Sequence, residues 1–590
     1  MTRAFSFLAT AGLALCIARP CQSDDIYRLL VPLPRGIVQA EGAARVPVET
    51  LASPEVTFGK VSGPVDGDIG CGAGSVVKEA PGDVADQAYR IVVSADGVKV
   101  VAGGEAGARY ARVTLAQLAK LADGGTVPAG EIIDWPELKW RGVMNDCGRN
   151  FLDVESVKAI VDLAARYKLN LFHWHLTEYH GWRLESKRYP NLTAPETMMR
   201  QVGRFYTQDD FRDVVAYARE RGITVMPELD VPGHSLALRK GLGVESMKNP
   251  AVDRAVSELI DELCHLAPKE VMPFIHLGTD EVRTSPERVD SGQCSRWAEV
   301  AAKNGRIAVG WAPGEKMSSS GELVDMVWQP GHHTNTTHRL FDAANFYFGS
   351  LGPELLLNRA QFAKACDWDI APERSLGAIA CCWHDDNVGD DTRRLFQNTA
   401  FAPALVALAD NFWLGRPQAV PQFFKRLPPN GSLDLGYTVL LENRILAQRD
   451  KVLKDFPMPF PYVRQTHQRW RVTDGADRML DGCYRGGLID VNSFVTNKTG
   501  LVVAETWIHS DADQTVGAWI DFDRTAATGG RCYYRRPALG EWSSLGSTVE
   551  INGEKVAPPE WRSLGVYSEY ETYTRQLTSH EMRFSTVNTG

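Results

Sequence analysis

Residues 274–282 read Phe-Ile-His-Leu-Gly-Thr-Asp-Glu-Val, an apolar run of strand character ending in two adjacent carboxylates, Asp280 and Glu281. Paired carboxylates suit acid–base work at a glycosidic bond, where one moves a proton and the other stabilises positive charge. Side chains alternate faces along a strand, so both can serve one site only if the strand end loosens into a loop. An isolated Asp-Glu is ordinarily a solvated strand end, because acids are mostly exposed. Its surroundings argue otherwise. Other β-rich runs end in Glu178, in Glu228 and Asp230 with His234 beyond, and in Trp311, Trp328, Tyr347 and Trp383, with Asp385 just past the last. Flat aromatic faces, carboxylates and an arginine describe a pocket for a neutral, polar ring.

Eight such runs supply these ends: Arg141–Asp146, Asn170–Leu176, Ile223–Asp230, Phe274–Glu281, Arg306–Trp311, Val324–Gln329, Ala344–Gly349 and Leu376–Trp383. Helical stretches separate the early ones. Residues 153–168 carry Val154, Val157, Ile160, Val161 and Ala164 on one stripe, with Asp153 placed to cap. Residues 207–221 open with Thr-Gln-Asp-Asp, which resembles a capping box, and residues 249–266 put Pro250 at a first helical position. Eight strands in a β-then-helix rhythm predict an α/β protein built on a (β/α)8 TIM barrel, whose active face lies at the C-terminal ends of the strands.

The chain divides accordingly. Residues 1–23 read as a signal peptide, with Arg3 ahead of an apolar run too short to span a bilayer. An exported protein is expected: periplasmic, cell-surface or secreted. Leu15 before Cys16 fits a lipoprotein site poorly, so a lipid anchor is not the favoured reading. Residues 24–135 read as a small α/β domain, 136–425 as the catalytic barrel, 426–469 as a helical connection and 470–590 as a C-terminal β-sandwich. A net charge of −9 gives no reason to expect nucleic acid as a partner, and no later stretch is apolar enough for a membrane span. The cysteines show no CxxC spacing and no paired histidine pattern, so neither metal nor cofactor is expected.

Five ordered motifs are similar to the family 20 glycoside hydrolases, the β-N-acetylhexosaminidases. They are Trp140-Arg141-Gly142 with Asp146-Cys147-Gly148-Arg149-Asn150-Phe151, Phe172-His173-Trp174-His175-Leu176-Thr177, Gly181-Trp182-Arg183, Met226 to His234, and His276 to Val282. The resemblance implies hydrolysis of terminal β-linked N-acetylglucosamine or N-acetylgalactosamine, so the expected partners are N-acetylhexosamine glycans. It implies that the substrate's own acetamido oxygen is the nucleophile, giving an oxazolinium intermediate. Glu281 would then be general acid and base, and Asp280 would hold the acetamido N–H. Tyr347 would donate to the acetamido oxygen, and Trp311, Trp328 and Trp383 would wall the sugar. Arg141, assisted by Asp385, would hold ring hydroxyls, with His234 and Glu228 orienting the acids. His173 and His175 read as buried, satisfied histidines, and Asp146 with Arg149 as a structural pair. Departures from the family pattern fall at Glu178-Tyr179, Thr279, Gly349 and Asp385. They leave the chemistry intact and the substrate open between N-acetylglucosamine, N-acetylgalactosamine, a sulfated sugar and a disaccharide unit released as by a lacto-N-biosidase; a glycan-binding protein that has lost catalysis is the alternative from another class.

Overall fold

A computed structural model describes residues 26–384 with breaks at 40–41, 67–74, 283, 345 and 349–362, then 390, 392, 394–397, 401–415, 435–460, 462 and short segments between 467 and 583. The expected signal peptide and Asp385 lie outside the described residues.

The N-terminal unit is a five-stranded sheet in the order Gly36–Val38, Gly130–Asp134, Tyr89–Ser94, Gly97–Ala102, Glu55–Phe58. Tyr89–Ser94 alternates buried and half-buried residues, the period of two that a one-sided sheet requires. Helix α1 (Glu105–Leu121) buries Tyr110, Leu115, Leu118 and Leu121 in the same apolar cluster as this sheet.

The barrel strands are β1 (Trp140–Asp146), β2 (Leu171–His175), β3 (Thr224–Val231), β4 (Phe274–Gly278), β5 (Ile307–Ala312), β6 (Leu323–Val327), β7 (Arg339–Asp342) and β8 (Ser375–Cys382). Each pairs parallel with the next, and β8 pairs parallel with β1, so the barrel is closed. Strands β2 and β4 are buried along their whole length, as parallel strands covered on both faces must be. The helix starts follow the sequence chemistry. Asp153 accepts from Ser156 N at 2.7 Å to cap α2 (Val154–Arg166). Thr207 and Asp210 form a reciprocal capping box on α3 (Gln208–Glu220). Such caps contribute about 1 kcal/mol each.

The seventh strand differs from expectation. It is Arg339–Asp342, whereas Tyr347–Phe348 forms a separate two-residue ladder with Cys381–Cys382. Aromatic density gives residues 344–349 a strand signature, but among the described residues only Tyr347 and Phe348 pair, with the C-terminal end of β8. The barrel stave is a four-residue run whose core is Leu340 and Phe341, both fully buried. The sandwich expected over 470–590 extends over residues outside the described set. The described ones form a three-stranded antiparallel sheet around His467–Asp474 and separate two-stranded ladders.

Candidate active site

The chain passes Asp280 in left-handed backbone. Gly278, Thr279 and Glu281 have φ of 66°, 83° and 47°. Positive φ is costly for a β-branched residue such as Thr279, and clusters of it mark functional sites. The twist ends β4 and lets both carboxylates approach one imidazole. His234 Nε2 lies 3.5 Å from Glu281 Oε2 and 3.9 Å from Asp280 Oδ2. Two glycines make this approach feasible. A Cβ on Gly233 would sit 2.3 Å from the Asp280 carbonyl oxygen, and one on Gly278 would sit 2.0 Å from Asp230 Oδ1. Asp280 is buried, while Glu281 is partly exposed.

Behind His234 runs a chain of charge. His234 Nδ1 lies 2.9 Å from Glu178 Oε1, Arg149 Nη2 lies 2.6 Å from the same oxygen, and Arg149 Nη1 lies 2.7 Å from Asp146 Oδ2. Burial would push Glu178 up, but Arg149 and His234 hold its carboxyl well below the usual range. Burial would push His234 down, but Glu178 and Asp230 hold it well above an ordinary histidine. Burial pushes Asp280 up; His234 opposes this, while Glu228, Glu281 and Glu178 add to it. Burial likewise raises Asp230 strongly, with Asp280 adding. The surroundings therefore favour the charged forms of His234 and Glu178 and disfavour those of Asp280 and Asp230.

Below these lies Glu228 on β3, fully buried. His173 Nε2 (2.7 Å) and His175 Nδ1 (2.6 Å) meet one oxygen. Trp311 Nε1 (2.8 Å) and His276 Nδ1 (3.0 Å) meet the other. Among the described residues, three histidine–carboxylate groups bring candidate ligand atoms within 4.8 Å: His173–Glu228–His276, His175–Glu178–Asp230 and Asp230–His234–Asp280. In the first, the carboxylate oxygens already meet four nitrogen neighbours.

The aromatic residues converge. Trp383 lies 5.7 Å from both Trp311 and Tyr347 between ring centroids. Trp328 packs with them against the barrel interior, its Nε1 donating to Pro313 O at 2.8 Å.

One predicted residue is elsewhere. Arg141 lies near the start of β1, at the opposite end of the barrel from Asp280. Its guanidinium is fully buried and donates to Lys168 O (2.8 and 3.0 Å), Leu138 O (2.6 Å), Gln87 Oε1 (2.9 Å) and Tyr110 OH (2.9 Å). It ties the barrel floor to the N-terminal unit and has no reach to a sugar. The arginine at the active face is Arg149, whose guanidinium carbon stands 5.1 Å over the Trp383 ring. Strand polarity carries this distinction: Arg141 stands at the N-terminal end of β1, and Arg149 follows its C-terminal end. His175 is also more than a satisfied core histidine, since its Nε2 faces Asp146, Glu178 and Asp230 at 3.9–4.0 Å. An Arg141→Met variant should lose thermal stability, because several buried carbonyls lose their donor. Its KM for a sugar substrate should match wild type in the folded fraction, as steady-state kinetics beside a melt would show.

A closed (β/α)8 barrel with a carboxylate pair at the C-terminal end of β4 has the architecture of a glycoside hydrolase catalytic domain. Residues 138–248 match the catalytic domain of glycosyl hydrolase family 20, and residues 37–135 match that family's domain 2. Both of that family's domains are thus recognised in order along the chain, which supports a family 20 glycoside hydrolase. The chain is 34% identical over 337 residues to a beta-hexosaminidase of Vibrio furnissii, covering 45% of this chain and 55% of that protein. It is 29% identical over 378 residues to a beta-N-acetylhexosaminidase of Cellulomonas fimi, covering 56% and 74%. The fold matches that of a family 20 exo beta-N-acetylglucosaminidase of Vibrio harveyi with a TM-score of 0.57 at 23% identity, over 74% and 79% of the two chains. The match thus spans about half the length of the Vibrio furnissii relative. No helix among the described residues is long and apolar enough to cross a membrane.

Proposed function

We propose that this protein is a retaining exo-β-N-acetylhexosaminidase that releases terminal β-linked N-acetylglucosamine or N-acetylgalactosamine by substrate assistance. One observation carries the reading: Asp280 and Glu281 both face His234 from a single strand end. Carboxylates so placed cannot flank a glycosidic bond as acid and nucleophile, which needs them about 5 Å apart across the sugar. The acetamido oxygen of the substrate supplies the missing nucleophile. Glu281 gives its proton to the glycosidic oxygen as the C1–O bond breaks, and the acetamido oxygen bonds to C1. Water then attacks C1 and passes its proton to Glu281 as the bond from C1 to the acetamido oxygen breaks, which restores the acetamido group and leaves C1 with retained configuration.

Asp280 accepts from the acetamido N–H. Its surroundings disfavour its charge in the free protein, and the positive charge developing on the nitrogen offsets that, so its contribution grows towards the transition state. Trp311, Trp328 and Trp383 wall the sugar and Tyr347 donates to the acetamido oxygen. Arg149, not Arg141, reads the ring hydroxyls. The test is a panel of defined N-acetylated glycans with product identification. Release of the terminal monosaccharide supports the reading, release of a disaccharide supports a biosidase, and binding without turnover supports a catalytically lost protein.

A further inference from the structure

Tyr179 has no part in the chemistry above. It follows Glu178 at the tip of the short hairpin formed by Thr177–Glu178 and Gly181–Trp182, just past the C-terminal end of β2. Its backbone N–H donates to Glu178 Oε2 at 2.7 Å, and the same carboxylate meets His234 Nδ1. Its ring lies 5.3 Å from the His234 ring at 59°. The opposite edge of that imidazole meets Glu281. Tyr179 is therefore held one residue away from the acid and is partly exposed. The sugar-walling aromatics, by contrast, gather around Trp383 beside Arg149. From Arg149 through Glu178 and His234 to Glu281, the order of contacts runs from the ring hydroxyls towards the departing oxygen.

We infer that Tyr179 is a specificity-determining residue: its ring is the platform on which the first sugar of the leaving group stacks. This rests on the hexosaminidase reading, in which Glu281 protonates the leaving oxygen. A rigid aromatic ring offers a pyranose an apolar face with little ordering cost, worth about tenfold in binding.

The experiment compares wild type, Tyr179→Phe and Tyr179→Ala on two substrates that need the same protonation, N,N′-diacetylchitobiose and methyl β-N-acetylglucosaminide. Only the first has a sugar ring in its leaving group. Tyr179→Ala should lower kcat/KM on the disaccharide about tenfold and leave the methyl glycoside within about twofold. Tyr179→Phe should retain both, and the pH profile should not move. Equal losses on both substrates, or a shifted pH profile, would mean that Tyr179 only shapes His234, and the inference falls. No loss on either overturns it as well. If the alanine variant does not fold, Tyr179→Leu makes the same comparison. If wild type cleaves neither substrate, the hydrolase reading fails separately. Calorimetry then decides: the inference stands only if Tyr179→Ala lowers the affinity for the disaccharide relative to free N-acetylglucosamine.

Discussion

Replacing Glu281 by Gln is expected to lower kcat on a disaccharide substrate by about three orders of magnitude, the middle of the range for a single general acid. The amide keeps the shape of the carboxyl and its place near His234, so binding should survive. Affinity for a thiazoline analogue of the oxazolinium should stay within about tenfold of wild type, because that ligand needs no proton at a leaving group. An activated aryl glycoside should suffer less than the disaccharide, since its phenolate departs with little protonation. The pattern of losses is the diagnostic part: a residue that merely supports the site would lower both substrates and the analogue together. Stopped assays on the two glycosides and a titration with the analogue measure all three quantities. A variant with full turnover would remove Glu281 from the acid role.

The barrel was readable because its parallel strands are short, apolar and separated by capped helices. The caps at Asp153, Thr207 and Asn249 are local chemistry and sit where the residue types require. The seventh strand was not readable, because four residues carry too little pattern to compete with the aromatic Phe346-Tyr347-Phe348 that follows. The carboxylate pair stood out through its neighbours, but its geometry did not. That two adjacent side chains face one imidazole depends on positive φ at Thr279 and Glu281, and Thr279 is a residue type that gives no warning of it. Arg141 was misassigned for a similar reason. A sequence shows an arginine on a strand but not that its donors are taken by the N-terminal unit, a contact made across domains. Arg149 was legible only as a local pair with Asp146, since its other partner, Glu178, lies on a different strand connection.

The second large effect concerns Glu228, which touches neither sugar nor acid. Burial would push its carboxyl up, yet His175, His276 and His173 hold it well below the usual range. It is an anion that meets the ring nitrogens of His173 and His175 on β2, His276 on β4 and Trp311 on β5. A Glu228→Gln change keeps the volume but turns one acceptor oxygen into a donor facing other donors, and it leaves His175 without its main countercharge. Breaking a buried pair on one side costs about 3–5 kcal/mol, so the melting temperature should fall clearly. Trp311, which loses the acceptor for its indole N–H or must share it, should loosen, and kcat should fall with it. The pH dependence gives an independent check. Burial would lower His175, but Glu228, Glu178 and Asp146 hold it well above its ordinary value. A raised histidine contributes stability that is full below about 6.5 and is lost as pH climbs through the folded value. Glu228, held low, contributes stability that is present above about 4.3 and lost as pH falls through its folded value. Wild type should therefore show a stability plateau between these limits. The Gln variant should lose the acid-side contribution of Glu228 and much of the alkaline slope set by His175. Thermal melts at several pH values measure both, and an unchanged profile would show that the four nitrogens around Glu228 do not depend on its charge.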